Sequence, residues 1–288
     1  MIGIVTVNWN AYEITVKFAE QLLENNLQNF TLVIVNNSPE EDTAFDQTPL
    51  CYDPKIQLIH AGANLGYSGG LNLGIKTLMQ QPEVRQFLLM NNDVEFDKDF
   101  LQRMSLEGND SNTIYSPVVM LRDTVLVQNT GGAVHLWLGG AMNLNKNVPI
   151  ERIRKRKPDF LSGCILFMER PVVEKVGFFD EIYGSYWEDV DYCYRAKRLG
   201  IRLEVLWDVT ANHFHSYSTK GNSDYKSYLL NRNQILFAKK HLTLLPRILF
   251  STMAIVRGFI QAILTGRMGS YFQGVKEGFG IDSSAGIY

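Results

Sequence analysis

Cysteine is scarce in this chain of 288 residues: Cys51, Cys164 and Cys193 are an odd set, far apart and without CxxC spacing. That scarcity excludes a disulfide framework and the usual zinc or redox motifs, and the three read as reduced, mostly buried thiols of a cytosolic protein. The opening residues lack the basic region, long apolar segment and cleavage site of a signal peptide; Ile2-Gly3-Ile4-Val5-Thr6-Val7 reads instead as a first buried strand. An excess of charge is also missing. A net charge of -2 predicts no general affinity for nucleic acid. Internal repeats and low-complexity tracts are absent, and 45% hydrophobic with 20% charged residues is ordinary globular composition, which excludes wholesale disorder. There is no Walker loop and no dinucleotide fingerprint, because glycines 66, 69 and 70 follow the third expected strand and no Gly-Lys-Ser/Thr ending follows them. Finally, no Asp or Glu occurs from Lys226 to Lys276, a stretch with eight Lys and Arg residues.

The first two thirds alternate short β-rich runs with helical patterns, which predicts an α/β fold with a mostly parallel central sheet flanked by helices. Strands are expected near 2–8, 31–36, 56–60 and 86–90. Helices are expected near 12–25, opening after Asn10, and near 69–80, with Ser68 as cap and Pro82 beyond the end. After Asp93 the order changes: 113–120, 125–138 and 160–168 read as strands joined by Gly- and Asn-rich turns, so the second half of the sheet should be mixed. A further strand is expected at 201–207. The basic run from Arg152 to Lys157 is either a solvated loop or a place to meet phosphate or lipid headgroups.

In an open α/β sheet, ligands bind outside the carboxyl ends of the strands. Polar residues gather there: Asn8-Trp9-Asn10, Asn36-Asn37-Ser38, the Asn64 to Asn72 segment and Asn91-Asn92-Asp93. Each alone is an ordinary turn; four together form a rim. The glycines allow close backbone approach, and the helix start near Ser68 offers amides suited to an anion. Asp93 is a thin cation site that needs help from Asn91, His213 or His215. Tyr186-Trp187-Glu188-Asp189-Val190-Asp191-Tyr192 places three carboxylates within four residues. Mutual repulsion raises proton affinity there, making it a candidate acid/base site; the alternative is a solvated helix start whose acids complement the dipole.

These motifs, continued by Phe160-Leu161-Ser162-Gly163-Cys164 and Gly177-Phe178-Phe179-Asp180-Glu181, resemble an inverting family 2 glycosyltransferase of the GT-A fold, in particular its rhamnosyltransferase-like branch. The resemblance covers roughly residues 2–240. It implies that Val7, Asn8, Asn10, Asn36, Asn64, Gly66, Gly70, Asn72, Asn91 and Asn92 bind the nucleotide sugar. It implies that Asp93 and His213 hold Mg²⁺ or Mn²⁺, and that Asp189 is the catalytic base. Glu188 and Asp191 would orient the acceptor or adjust Asp189, with Trp187 stacking on a sugar. Two departures stand out: Asn36 replaces the Asp that commonly contacts the nucleobase, and Asn91 replaces the first carboxylate of the metal motif.

The implied reaction moves a sugar, with L-rhamnose from dTDP-rhamnose as the candidate donor, to a growing lipid-linked surface glycan. The expected place is the cytoplasm or the cytoplasmic face of the inner membrane. A sugar nucleotidyltransferase is a weaker reading, since its glycine-rich loop after strand one is replaced by Asn8-Trp9-Asn10-Ala11. A non-catalytic nucleotide-sugar binding subunit is the other alternative. Residues 1–224 are expected to be the catalytic domain and 225–288 a basic amphipathic helical appendage. In it Leu245, Ile248, Leu249, Thr252, Ile255, Val256, Phe259, Ile260 and Ile263 recur at helical spacing opposite Arg247, Arg257 and Gln261. Pro246, Arg257 and Gln261 argue against a spanning helix, and two placements stay open: at a membrane interface, or docked on the core.

Overall fold

Runs of β-branched residues build the centre of the molecule. In the computed structural model, which describes residues 1–214 and 223–282, β1 (Ile2–Asn8) is buried along its whole length, as a strand covered on both faces must be. It pairs in parallel with β2 (Phe30–Asn36) on one side and β4 (Gln86–Met90) on the other, and β3 (Ile56–His60) extends the edge beyond β2. The crossovers are α1 (Tyr12–Leu23), which buries Phe18 and Leu22, a segment holding the short α2 (Asp42–Asp46), and α3 (Gly66–Met79), which buries Leu71, Ile75 and Leu78. Helix α3 starts earlier than expected. Ser68 therefore lies inside its first turn and, instead of capping it, donates from Oγ to Gly184 O at 3.0 Å.

Past β4 the sheet becomes mixed. After β5 (Val94–Glu95) and α4 (Phe100–Glu107), β6 (Thr113–Leu121) is separated from β4 by the antiparallel strand β11 (Ile165–Glu169). The expected strand 125–138 is broken into β7 (Leu126–Asn129), β8 (Gly132–His135) and a 3-10 turn. Strand β8 leaves the main sheet to form a hairpin with β9 (Gly140–Asn143), while β10 (Val148–Pro149) caps the edge at β7. Strand β12 (Arg202–His213) outlasts its expected end at 207: it runs parallel to β6, shifts register between Leu206 and Thr210, and then also pairs antiparallel with β5. That extension carries His213 to the carboxyl end of β4; His215 lies outside the described residues.

Helices α5 (Arg170–Val176) and α6 (Glu188–Arg198) are followed by α7 (Ser223–His241), α8 (Leu244–Thr265) and α9 (Met268–Gly280). Helix α7 is bonded to the body that carries the sheet. Asn233 Nδ2 donates to the carbonyls of Tyr183, Ser185 and Tyr186, and Arg232 donates to those of Ile182 and Tyr183, so α7 fixes the turn that leads into α6. On α8 the small residues Ser251, Ala254, Gly258 and Ala262, with Phe250, face inward, whereas Leu245, Ile248, Val256, Phe259, Ile260 and Ile263 are exposed. Of the polar side, Arg257 meets the protein, donating to Gly139 O and Gln234 Oε1, while Gln261 is exposed. Docking of the large apolar stripe on the core is thereby overturned.

Candidate active site

Sheet register brings together two residues 120 positions apart. His213 pairs with Val94, and the Phe214 amide donates to Asp93 O at 2.9 Å, so both side chains stand beyond the end of β4. His213 Nε2 is 3.0 Å from Asp93 Oδ1 and 3.3 Å from Asn91 Nδ2, while Nδ1 is 2.8 Å from Gln128 Oε1. An amide oxygen only accepts, so Nδ1 carries a proton and Nε2 is the atom turned toward Asp93. Burial opposes a charge on this ring, but its contacts with Cys164 and the Asp93 carboxylate outweigh burial and push its pKa up to about 11, so a cation held at Nε2 would have to displace a proton. By distance the His213–Asp93 contact is an ion pair, yet no aligned hydrogen bond reaches the buried Asp93 Oδ1. A buried carboxylate oxygen in that state, beside an imidazole whose far nitrogen is already oriented, fits a divalent cation. The described residues hold no cluster of three His, Cys, Asp or Glu, so phosphate oxygens would have to complete the coordination.

The acidic turn is built under strain. Tyr186 and Trp187 have φ of 65° and 74°, left-handed conformations that cost non-glycine residues roughly 1–3 kcal/mol each. They swing α6 so that its first turn presents Glu188 and Asp189. Asp189 Oδ2 accepts from Gly163 N and Oδ1 from Val190 N, both at 2.8 Å. A Cβ on Gly163 would stand 3.2 Å from the Asp189 Cβ, so a side chain here would push the carboxylate away. Burial raises the pKa of Asp189, and those two amides hold it back. Glu188 is pushed well above the usual carboxylate range, by burial first and the Asp189 charge second, and its Oε2 has no hydrogen-bond partner. The two neighbours thus differ: two backbone amides hold Asp189 toward its charged form, while Glu188 has the stronger push toward its neutral form.

Asp93, His213, Glu188 and Asp189 line one cleft of about 310 Å³. Among the residues expected to bind a nucleotide sugar, Val7, Asn64, Gly66, Asn91 and Asn92 also line it. The others do other work. Asn8 Nδ2 donates to Asn36 Oδ1 and Glu41 Oε2, and Asn36 Nδ2 donates to Asp42 Oδ1, so this pair staples the ends of β1 and β2 to the start of α2 and the residue before it. Asn10 is exposed, with its amide bonded to Ser38 Oγ. Asn72 is tied to Phe179 and Glu181. Gly70 serves packing, since a Cβ there would stand 2.8 Å from Val7 Cγ1.

Two expected acceptor residues are corrected as well. Trp187 is only 6% exposed and packs against Phe237 and Phe250 of the C-terminal helices, so it has little open face for a sugar, although it also lines a cavity between the acidic turn and those helices. Asp191 is fully buried and bonded to Arg195, Lys240 and His241; burial disfavours its charge, but His241, Arg195 and Lys240 overcome that and hold its pKa far below the ordinary range. It anchors α7 and never reaches the cleft. Conversely, Asn37, Tyr67, Cys164, Ser185, Tyr186 and Lys226 line the cleft without having been singled out as binding residues. Tyr67 Oη donates to Gly163 O at 2.8 Å, and Asn37 Oδ1 is buried with no partner. Asn37 was visible beside Asn36; nothing in the sequence pointed to Lys226 as part of a binding cleft.

The family model for Glycosyl transferase family 2 matches residues 3–177. This chain belongs to that family. It is a glycosyltransferase that moves a sugar from a nucleotide donor. The transferase is similar to the low-salt glycan biosynthesis hexosyltransferase Agl10 of Haloferax volcanii, at 25% identity over 85% of this chain and 86% of that one. It is similar to the dTDP-rhamnosyl transferase RfbF of Shigella flexneri at 25% identity over 72% of this chain and 70% of that one. Among solved structures, GalNAc-T7 with UDP, GalNAc and Mn²⁺ superposes with a TM-score of 0.62 over 83% of this chain, at 12% identity; the transferase spans about half of that chain, 48%. The fold is therefore GT-A, with the C-terminal helices added.

Proposed function

We propose that the transferase inverts configuration at the transferred sugar, with Asp189 as general base and dTDP-L-rhamnose as donor. The observation that carries this reading is the shared cleft of Asp93 and Asp189. Asp189 takes the proton of an acceptor hydroxyl as its oxygen bonds to the anomeric carbon; the bond from that carbon to the diphosphate oxygen breaks, and the nucleoside diphosphate leaves. Attack from the face opposite the leaving group gives inversion. Asp93 and His213, with Asn91 beside them, would hold Mg²⁺ or Mn²⁺, which when bound supplies positive charge for the leaving diphosphate. Burial and the neighbouring Asp189 both disfavour a charge on Glu188, which limits negative charge beside the base. The unpartnered Asn37 Oδ1 suits the imide N–H of a pyrimidine such as thymine.

Rhamnose as the donor sugar rests on the branch resemblance and on the similarity to the rhamnosyl transferase. The acceptor in this reading is a lipid-linked surface glycan, reached from the cytoplasmic face of the inner membrane. The outward apolar stripe of α8 supports that placement; the helix is also long and apolar enough to span a membrane by length and composition. Thermal stabilisation by UDP, GDP and dTDP sugars, each with and without Mn²⁺, tests the donor. A ligand at about 100 times its Kd adds about 2.7 kcal/mol to stability. dTDP-L-rhamnose with Mn²⁺ should give the largest rise in Tm; a larger rise with a UDP or GDP sugar contradicts the donor assignment.

A further inference from the structure

A second cavity of about 570 Å³ lies against the same acidic turn. Tyr186, Glu188 and Asp189 line both spaces. The remaining walls come from the β8–β9 hairpin, α7 and α8, with Asn143, Lys146, Asn231, Arg257 and Gln261 among them. The cation-binding pair Asp93 and His213 belongs to the first cavity alone.

We propose that this second cavity is the acceptor subsite and that it takes the saccharide head of an amphiphile. The proposal rests on the reading of Asp189 as base. In a displacement the incoming hydroxyl must approach from the side opposite the leaving diphosphate, and the base must touch both spaces; Asp189 does. Carbohydrate is recognised by side chains that both donate and accept hydrogen bonds, and amides do so with one planar group. Asn143 and Gln261 present exposed side-chain amides at the cavity wall. They stand on different elements, the hairpin and α8, as a site that grips a ring from two sides requires. Glu188 supplies an independent pointer: its side chain is 5% exposed, lines the cavity and has an unpartnered Oε2. That unpartnered oxygen is placed to bond a sugar hydroxyl.

The amphiphile follows from α8. Arg257 and Gln261 of this helix line the cavity, while Val256, Ile260, Ile263 and Leu264 are exposed. A helix is about 10 Å across with its side chains, so one element separates a polar saccharide site from an apolar surface by about that distance. A lipid tail left in a bilayer against α8 and a head folded over into the cavity fit this arrangement.

The test uses the full chain with dTDP-L-rhamnose, UDP and GDP sugars as donors and a panel of octyl glycosides as acceptor probes, reading nucleoside diphosphate release. At least one octyl glycoside should raise release above the rate of hydrolysis by water. The double variant Asn143→Ala/Gln261→Ala should raise the KM for that glycoside on the order of tenfold, the loss of two hydrogen bonds, with donor KM and water hydrolysis unchanged. The proposal is overturned if no glycoside stimulates release, if the variant keeps the wild-type glycoside KM, or if hydrolysis falls together with transfer. Absence of nucleotide release from every donor by the unmodified chain would instead count against the transferase mechanism itself.

Discussion

His241 Nε2 lies 2.6 Å from Asp191 Oδ1, joining the end of α7 to the first turn of α6. Lys240 at 2.8 Å and Arg195 at 2.8 Å complete a cationic cage around a carboxylate with no exposure. This cage, with Asn233 and Arg232, makes α7 part of the wall that holds the strained Tyr186–Trp187 turn.

Breaking the cage should therefore cost stability and activity together. Removing one partner of a buried ion network typically costs about 3–5 kcal/mol, so Asp191→Ala should lower stability to urea by that order. The sign with pH follows from the depressed pKa of Asp191 in the folded state. Its contribution is complete above the unfolded value of about 4 and is lost as pH falls below it toward the folded value. Urea titrations from pH 7 to pH 3 should show wild type losing stability faster than Asp191→Ala below about pH 4. Parallel curves would contradict the role given to the cage.

Gln128 touches the proposed cation site through His213. Its oxygen fixes which ring nitrogen faces Asp93. Loss of such an outer partner weakens metal binding by roughly 10- to 100-fold. Gln128→Ala should raise the Mn²⁺ concentration for half-maximal transfer by that factor, with transfer restored at high Mn²⁺. Chelation of the unmodified enzyme should abolish transfer and added Mn²⁺ should return it. Transfer that survives exhaustive chelation contradicts the assignment of Asp93 and His213.

The proposed membrane contact through α8 depends on apolar residues that the protein leaves uncovered. Ile260 and Ile263 are 52% and 58% exposed, so Ile260→Glu/Ile263→Glu should disturb folding little, within about 0.5 kcal/mol per site. Sedimentation with phosphatidylcholine/phosphatidylglycerol vesicles should drop sharply while hydrolysis of the donor continues. Undiminished sedimentation contradicts the interface.

The parallel half of the sheet was legible because a strand covered on both faces must be a continuous apolar run, as β1, β2 and β4 nearly are, whereas β3 at the edge is partly exposed. Asp93, His213, Glu188 and Asp189 were also within reach, since strand ends and an acidic helix start carry local signatures. Other assignments needed distant partners. Asp191 resembles its neighbours until residues 240 and 241, some fifty positions on, prove to surround it. Trp187 has the chemistry to stack on a sugar, but Phe237 and Phe250 occupy it. For α8 the periodicity gave the helix, yet only packing shows that its small residues face inward and its large ones outward. Counting cations on 226–276 likewise overstated the surface charge, because Arg232, Lys239, Lys240 and Arg257 are bonded to protein groups.

Turnover by Asp189→Asn bears most directly on the chemistry. The amide keeps the size of the side chain and an oxygen for the Gly163 amide, but it cannot take a proton. Loss of a general base costs about 10²- to 10⁴-fold. Steady-state transfer should fall by that factor with donor affinity, read by calorimetry in the presence of Mn²⁺, unchanged. Wild-type turnover in Asp189→Asn would contradict the account.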